Sequence, residues 1–129
     1  MEFKYAIVYV PDVEASLDFY ERAFGLTRRF LTETGDYGEL ETGHTTLSFA
    51  SHELASSHST EGFVFGSQSE RPLGVELAFV TADVSAAHGK ALALGAIEIA
   101  APAQKPWGQV VSYLRCPDGS LVELCTPVG

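Results

Sequence analysis

The sequence predicts an α+β fold built from two βαβββ modules. Three observations carry this. First, a strand-to-helix segment recurs: Val10-Pro-Asp-Val-Glu-Ala-Ser-Leu-Asp-Phe-Tyr-Glu-Arg-Ala-Phe-Gly25 is echoed by Thr81-Ala-Asp-Val-Ser-Ala-Ala-His-Gly-Lys-Ala-Leu-Ala-Leu-Gly95, and Asp83 follows Asp12 by 71 residues. Second, short runs of β-branched and aromatic residues precede and follow each copy, separated by glycine-bearing breaks. Third, the chain has 129 residues and is 46% hydrophobic, which suits one compact domain and argues against disorder.

The first module is expected over residues 1–51. Phe3 to Val10 reads as a strand. Asp12 follows as a helix N-cap, its carboxylate able to accept the orphan N–H groups of the first turn. Val13, Leu17, Tyr20 and Phe24 recur at helical spacing and form one apolar face. Gly25 suits a left-handed helix end. Strands follow at 26–34, 37–42 and 45–50, broken at Gly35-Asp36 and Gly43-His44.

A linker is expected over 52–72. It is rich in serine and holds Gly62-Phe-Val-Phe-Gly66. Phe63 and Phe65 either cover an opening or anchor the linker to the core. The anchor is favoured, because loop aromatics usually pack.

The second module, residues 73–129, repeats the pattern. A strand over 74–81 leads to Asp83 as N-cap. Val84, Ala87, Ala91 and Leu94 form the apolar helix face, Gly95 ends it, and strands follow at 96–101, 109–115 and 121–126. Tyr37-Gly38 and Trp107-Gly108 stand 70 residues apart and read as repeat partners. One helix per sheet covers one face and leaves the other for a ligand.

Eight basic against seventeen acidic residues give a net charge of −9. That balance disfavours nucleic acid and anionic membrane surfaces as partners, since both repel an acidic protein. No run approaches transmembrane length, and the start lacks a signal-peptide pattern, so a cytoplasmic location is expected. Cys116 and Cys125 flank the turn Pro117-Asp-Gly-Ser120. In a hairpin they are offset by about 10 Å along the strands, so free thiols are expected.

These segments resemble the vicinal oxygen chelate superfamily, which contains glyoxalase I, bleomycin-resistance proteins, fosfomycin-resistance enzymes and extradiol dioxygenases. The carriers are the Val10 to Tyr20 strand-to-helix motif, Phe24-Gly25-Leu26, Pro106-Trp-Gly-Gln109, and Cys116-Pro-Asp-Gly-Ser-Leu-Val-Glu-Leu124. The resemblance covers nearly the whole chain. It implies a glyoxalase-like fold in which mostly antiparallel sheets curl around a cup, and it implies a homodimer.

Metal-using members of the superfamily place ligands on the first and fourth strand of each module. Carried over, those positions are Tyr5, Thr46, Glu76 and Glu123. Only Glu123 is a ligand type usual there. A phenol and a neutral hydroxyl are poor donors, and two carboxylates alone hold a hard divalent ion weakly. The expectation is therefore no cofactor, with Glu76 and Glu123 as the ligands if a divalent metal binds at all. His44, His52, His58 and His88 read as solvated or surface residues.

Strand parity refines the ligand face. Tyr5, Ile7 and Tyr9 share one side of the first strand. Glu76 lies with Ala78, and Glu123 with Leu121 and Cys125. Thr46 and Ser48 share the corresponding side of their strand. Trp107 either stacks on a planar ligand or closes the hairpin base. Expected ligand contacts are thus Tyr5, Ile7, Tyr9, Thr46, Ser48, Glu76, Trp107 and Glu123. If the two glutamates converge without a metal, repulsion raises one pKa. Alternatively each is neutralised, by Tyr5 or by Lys4, Arg28, Arg29 or Arg115. Cys125 shares the ligand-side parity and reads as packing rather than as a nucleophile.

Two functional readings follow. One is a metal-free binding protein that sequesters a planar or cationic small molecule, as in the bleomycin-resistance branch. The other is a lyase, isomerase or dioxygenase that uses Glu76 and Glu123 as catalytic groups, as metal ligands or as an acid/base pair.

Overall fold

The computed structural model describes residues 1–128, and Gly129, the last residue of the expected second module, lies outside them. Two compact units meet in sequence between Ser67 and Gln68. Each is a βαβββ module, as the repeat predicts.

The first module runs β1 (Tyr5–Val10), α1 (Val13–Phe24), β2 (Thr27–Leu31), β3 (Tyr37–Glu41) and β4 (Thr46–Ser51). Its sheet order is β1-β4-β3-β2, with β1 parallel to β4 and the other pairs antiparallel. The helix ends follow local chemistry. Asp12 accepts from the Ala15 N–H at 3.0 Å, and Gly25 closes the helix at φ 70°. Leu17 and Tyr20 of α1 are fully buried, as are Leu40 and Phe49 of the sheet. The helix comes very close to the sheet at Gly38. A Cβ placed there would stand 2.6 Å from Leu17 Cδ1 and 3.1 Å from the Phe30 carbonyl oxygen.

Part of the expected linker is helical. Ser51 caps α2 (His52–Ser56) through its side chain, and a single 3-10 turn follows at Gly66–Gln68. Phe63 sets its edge against Tyr9 with ring centroids 4.8 Å apart, and Phe65 stacks on His52 at 4.0 Å. The two phenylalanines therefore anchor this segment to the first module. His52, expected on the surface, is half-buried under Phe65, and its Nε2 atom is buried without a hydrogen-bond partner.

The second module runs β5 (Glu76–Val80), α3 (Val84–Ala93), β6 (Ile97–Gln104), β7 (Val110–Arg115) and β8 (Leu121–Cys125), in the order β5-β8-β7-β6. Again the first and last strands pair in parallel. Asp83 caps α3 by accepting from the Ala86 N–H at 3.0 Å. Strand β6 outruns its expected end at Ala101 and includes Pro102. It can do so because it is an edge strand whose register shifts twice along its length, which spares the ladder a missing donor. Cys116 and Cys125 are buried and form no disulfide.

The ladders correct two pairings drawn from the repeat. Tyr5 and Glu76 each stand seven residues before their capping Asp, so they correspond. Tyr5 lies opposite Thr46, and Glu76 opposite Leu121. Thr46 therefore corresponds to Leu121, and Glu123 corresponds to Ser48. In the same way Gly38 faces Phe49 while Ser112 faces Leu124. Gly38 thus corresponds to Ser112 and Tyr37 to Val111. Trp107, expected as the partner of Tyr37, lies instead in the loop before β7.

Candidate functional site

In the second module the sheet face away from α3 carries the acidic pair. Glu76 and Ala78 alternate with Leu77 along β5, and Ala78 pairs with Glu123 of β8. Glu123 in turn pairs with Tyr113 of β7. Parity thus brings Glu76, Glu123 and Tyr113 onto one face, with Cys125 two residues on from Glu123.

The electrostatics follow from that placement. The Glu76 carboxyl is raised above the ordinary glutamate range, first by its hydrogen bond to Glu123, then by burial, then by the Glu123 charge. The Tyr113 phenol is raised by burial and next by Glu123. The Cys125 thiol is raised by burial and next by Glu123, which makes it a poor nucleophile. Its Sγ faces the Phe79 carbonyl at 3.8 Å.

Of the four cations that could have neutralised this pair, all but Lys4 are engaged elsewhere. Arg28 pairs with Glu21 at 2.6 Å. Arg29 is held by Glu39 and Glu41. Arg115 donates to the carbonyls of Ser69, Glu70 and Gly119, tying the entry to β5 against the β7–β8 turn. Among the described residues no ion pair involves Glu76 or Glu123.

The first module's corresponding face is built differently. Tyr5 and Ile7 are about half exposed, at 50% and 48%, and lie opposite Thr46 and Ser48, both fully buried. Tyr9 shares their side and is taken up by Phe63. The bulge between Arg28 and Phe30 sends Arg28 to α1 and Arg29 to the sheet face away from α1. There Arg29 Nη1 donates to Glu39 at 2.9 Å and to Thr46 Oγ1 at 3.2 Å, while Nε and Nη2 grip Glu41. Tyr37 donates to the other Glu39 oxygen at 2.7 Å. The phenol is raised by burial, and Ser48 pulls it the other way. Ser48 Oγ makes no hydrogen bond of normal geometry.

Of the residues singled out from sequence, Tyr5, Ile7, Tyr9, Thr46 and Ser48 thus share one face of the first sheet. Glu76 and Glu123 share one face of the second. Trp107 lies on the loop before β7, with its indole N–H donating to Gln109 at 2.7 Å. Tyr113 and Glu39 escaped the sequence reading, which named Arg29 only as a possible neutralising partner of the glutamates and Tyr37 only as a repeat partner of Trp107. For Tyr113 and Glu39 the signal was present, since alternation along 109–115 and 37–42 puts them on the sheet face away from the helix. Arg29 carried no such signal, because its direction depends on the bulge.

The histidines supply no metal site. His44 and His58 are exposed. His88 corrects the surface expectation: it is 3% exposed, beneath α3 on the opposite side of the sheet from Glu123. Among the described residues, no three His, Cys, Asp or Glu side chains group closely enough to hold a metal ion. With Ser48 in place of Thr46, the four family ligand positions hold a phenol, a hydroxyl and two carboxyls. That donor set does not fit a resident divalent metal. No helix among the described residues is long and apolar enough to cross a membrane.

Solved structures of the same architecture are numerous. A glyoxalase-related enzyme from Fulvimarina pelagi superposes with a TM-score of 0.82 at 19% identity, covering 98% of this chain and 88% of that one. A glyoxalase/bleomycin resistance protein/dioxygenase family enzyme from Burkholderia phytofirmans PsJN gives 0.77 at 20% identity, with 98% of both chains covered. A protein of unknown function from Agrobacterium tumefaciens str. C58 gives 0.77 at 26% identity, covering 98% and 94%. The comparison with curated proteins finds no match. The glyoxalase-like domain model matches residues 3–129, so the chain belongs to the glyoxalase-like domain family within the vicinal oxygen chelate superfamily.

Proposed function

We propose that this protein binds a small molecule bearing a planar cationic group, and that it does so through Glu76 and Glu123 without a metal. One observation carries the reading. Two carboxyl groups lie on one sheet face of neighbouring strands, near enough for Glu123 to raise the Glu76 carboxyl, and among the described residues no cation pairs with either. An unpaired acidic pair gains by accepting a charged donor, which replaces mutual repulsion with charge-assisted hydrogen bonds. Tyr113 adds an aromatic neighbour suited to a cation. The net charge of −9 steers such a ligand inward.

Calorimetry with benzamidinium, a planar cation, tests this against neutral benzamide. Saturable binding of benzamidinium alone, unchanged by EDTA and lost in Glu123→Gln, is expected. Equal binding of the two probes, or loss with EDTA, overturns it.

A second reading is favoured by the raised Glu76 carboxyl itself. A glutamate whose carboxyl is raised beside a second carboxyl is the arrangement of a general acid/base pair. On that reading Glu76→Gln and Glu123→Gln each abolish turnover in a substrate screen while the fold persists.

A further inference from the structure

The helix side of the second sheet holds a hydrogen-bonded chain that the first module lacks. His88 of α3 is 3% exposed. Its Nδ1 lies 2.9 Å from Ser112 Oγ on β7, and its Nε2 lies 2.8 Å from a carboxylate oxygen of Glu98 on β6. Ser112 is fully buried. With Glu98 ionised, Nε2 carries the hydrogen and donates. In the neutral ring Nδ1 then accepts, and the Ser112 hydroxyl donates to it. Every polar atom in the chain is then satisfied.

The repeat shows what this chain replaces. His88 follows its capping Asp83 by five residues, as Leu17 follows Asp12. Leu17 sits on Gly38, the residue that corresponds to Ser112. The first module therefore docks its helix with leucine on glycine, and the second with histidine on serine. The second helix has little else to hold it. Beside His88, α3 buries only Val84 and Ala91, whereas α1 buries Val13, Leu17, Phe19 and Tyr20. Strand β7 then turns its next residue, Tyr113, to the opposite face, where it pairs with Glu123.

We infer that His88 is a positioning residue for the acidic face: through Ser112 it holds β7 where Tyr113 meets Glu123, and Glu98 orients its ring. The inference rests on the proposed binding role for its consequence, and on geometry alone for its local part. Leucine at position 88 fills the space but leaves the Ser112 hydroxyl buried without an acceptor. Glutamine offers one donor and one acceptor, like the neutral ring.

The test compares wild type, His88→Leu, His88→Gln and Ser112→Ala, each checked for cooperative unfolding. Nitrogen-15 spectra of wild type should show the Nε2–H tautomer. The Tyr113 phenol-carbon signal should move in His88→Leu and Ser112→Ala and return in His88→Gln. Benzamidinium affinity should fall about tenfold in His88→Leu, the size of one lost buried hydrogen bond, and recover in His88→Gln. An Nδ1–H tautomer overturns the assignment, as does a Tyr113 signal unchanged in folded His88→Leu or Ser112→Ala. If wild type does not bind benzamidinium, the binding proposal falls, and the tautomer and Tyr113 signal still decide the positioning. If His88→Leu fails to fold, Ser112→Ala carries the test.

Discussion

Ser48 and Glu123 hold the same ladder position in their modules, opposite Ile7 on β1 and Ala78 on β5. One is a fully buried hydroxyl. The other is a partly exposed carboxylate that raises the Glu76 carboxyl on the same sheet face. The same ladder position thus holds a buried hydroxyl in the first module and one member of an acidic pair in the second.

The acidic pair predicts a pH dependence. The folded-state pKa of Glu76 lies above its ordinary value of 4.5, so the folded protein holds this proton more tightly than the unfolded chain. Its favourable contribution is complete below 4.5 and is lost as pH rises through the raised value. Wild type should therefore lose stability relative to Glu76→Gln across that window, by less than about 1 kcal/mol because the face is solvated. Urea denaturation of both proteins at several pH values checks this, and parallel profiles would contradict it.

Gly38 predicts an intolerant position. An alanine Cβ would meet Leu17 at 2.6 Å and the Phe30 backbone oxygen at 3.1 Å, and only the leucine end can yield. Gly38→Ala should cost about 1–3 kcal/mol, the usual range for overpacking, read from the urea midpoint. Gly43→Ala offers a contrast, since a Cβ there meets nothing within 4 Å and the penalty comes only from φ 90°.

Arg29 predicts an asymmetry between its partners. Glu39 is buried and Glu41 exposed. Arg29→Met strands the Glu39 carboxylate with only Tyr37 as a donor, whereas Glu41→Gln removes a solvated partner. Arg29→Met should lower the unfolding midpoint clearly more than Glu41→Gln. Adding Glu39→Gln to Arg29→Met should recover part of the loss.

The Leu17 and His88 correspondence predicts a transplant. His88→Leu alone should destabilise by about 1–3 kcal/mol, because the Ser112 hydroxyl is left buried and unpaired. Ser112→Gly in that background rebuilds the leucine-on-glycine contact of the first module and should restore part of the loss. A double-mutant cycle by urea denaturation measures the coupling, and strict additivity would argue against the correspondence.

The sequence by itself determined the doubled βαβββ order, the helix caps at Asp12 and Asp83, and the side of each strand on which Tyr5, Ile7, Tyr9, Glu76 and Glu123 fall. Each depends on a few adjacent residues: a capping oxygen three residues from its N–H, or the two-residue alternation of a strand. Only the tertiary structure decided that Glu123 matches Ser48 rather than Thr46, that Arg29 turns to the sheet face away from α1, and that His88 is buried against Ser112. A slip of two residues leaves strand parity unchanged, so alternation cannot detect it, and only the ladder hydrogen bonds choose the register. A bulge likewise reverses one side chain without altering composition. Whether a histidine on a helix of small residues faces water or sheet is settled by the partners that the sheet brings from β6 and β7, far from it in sequence.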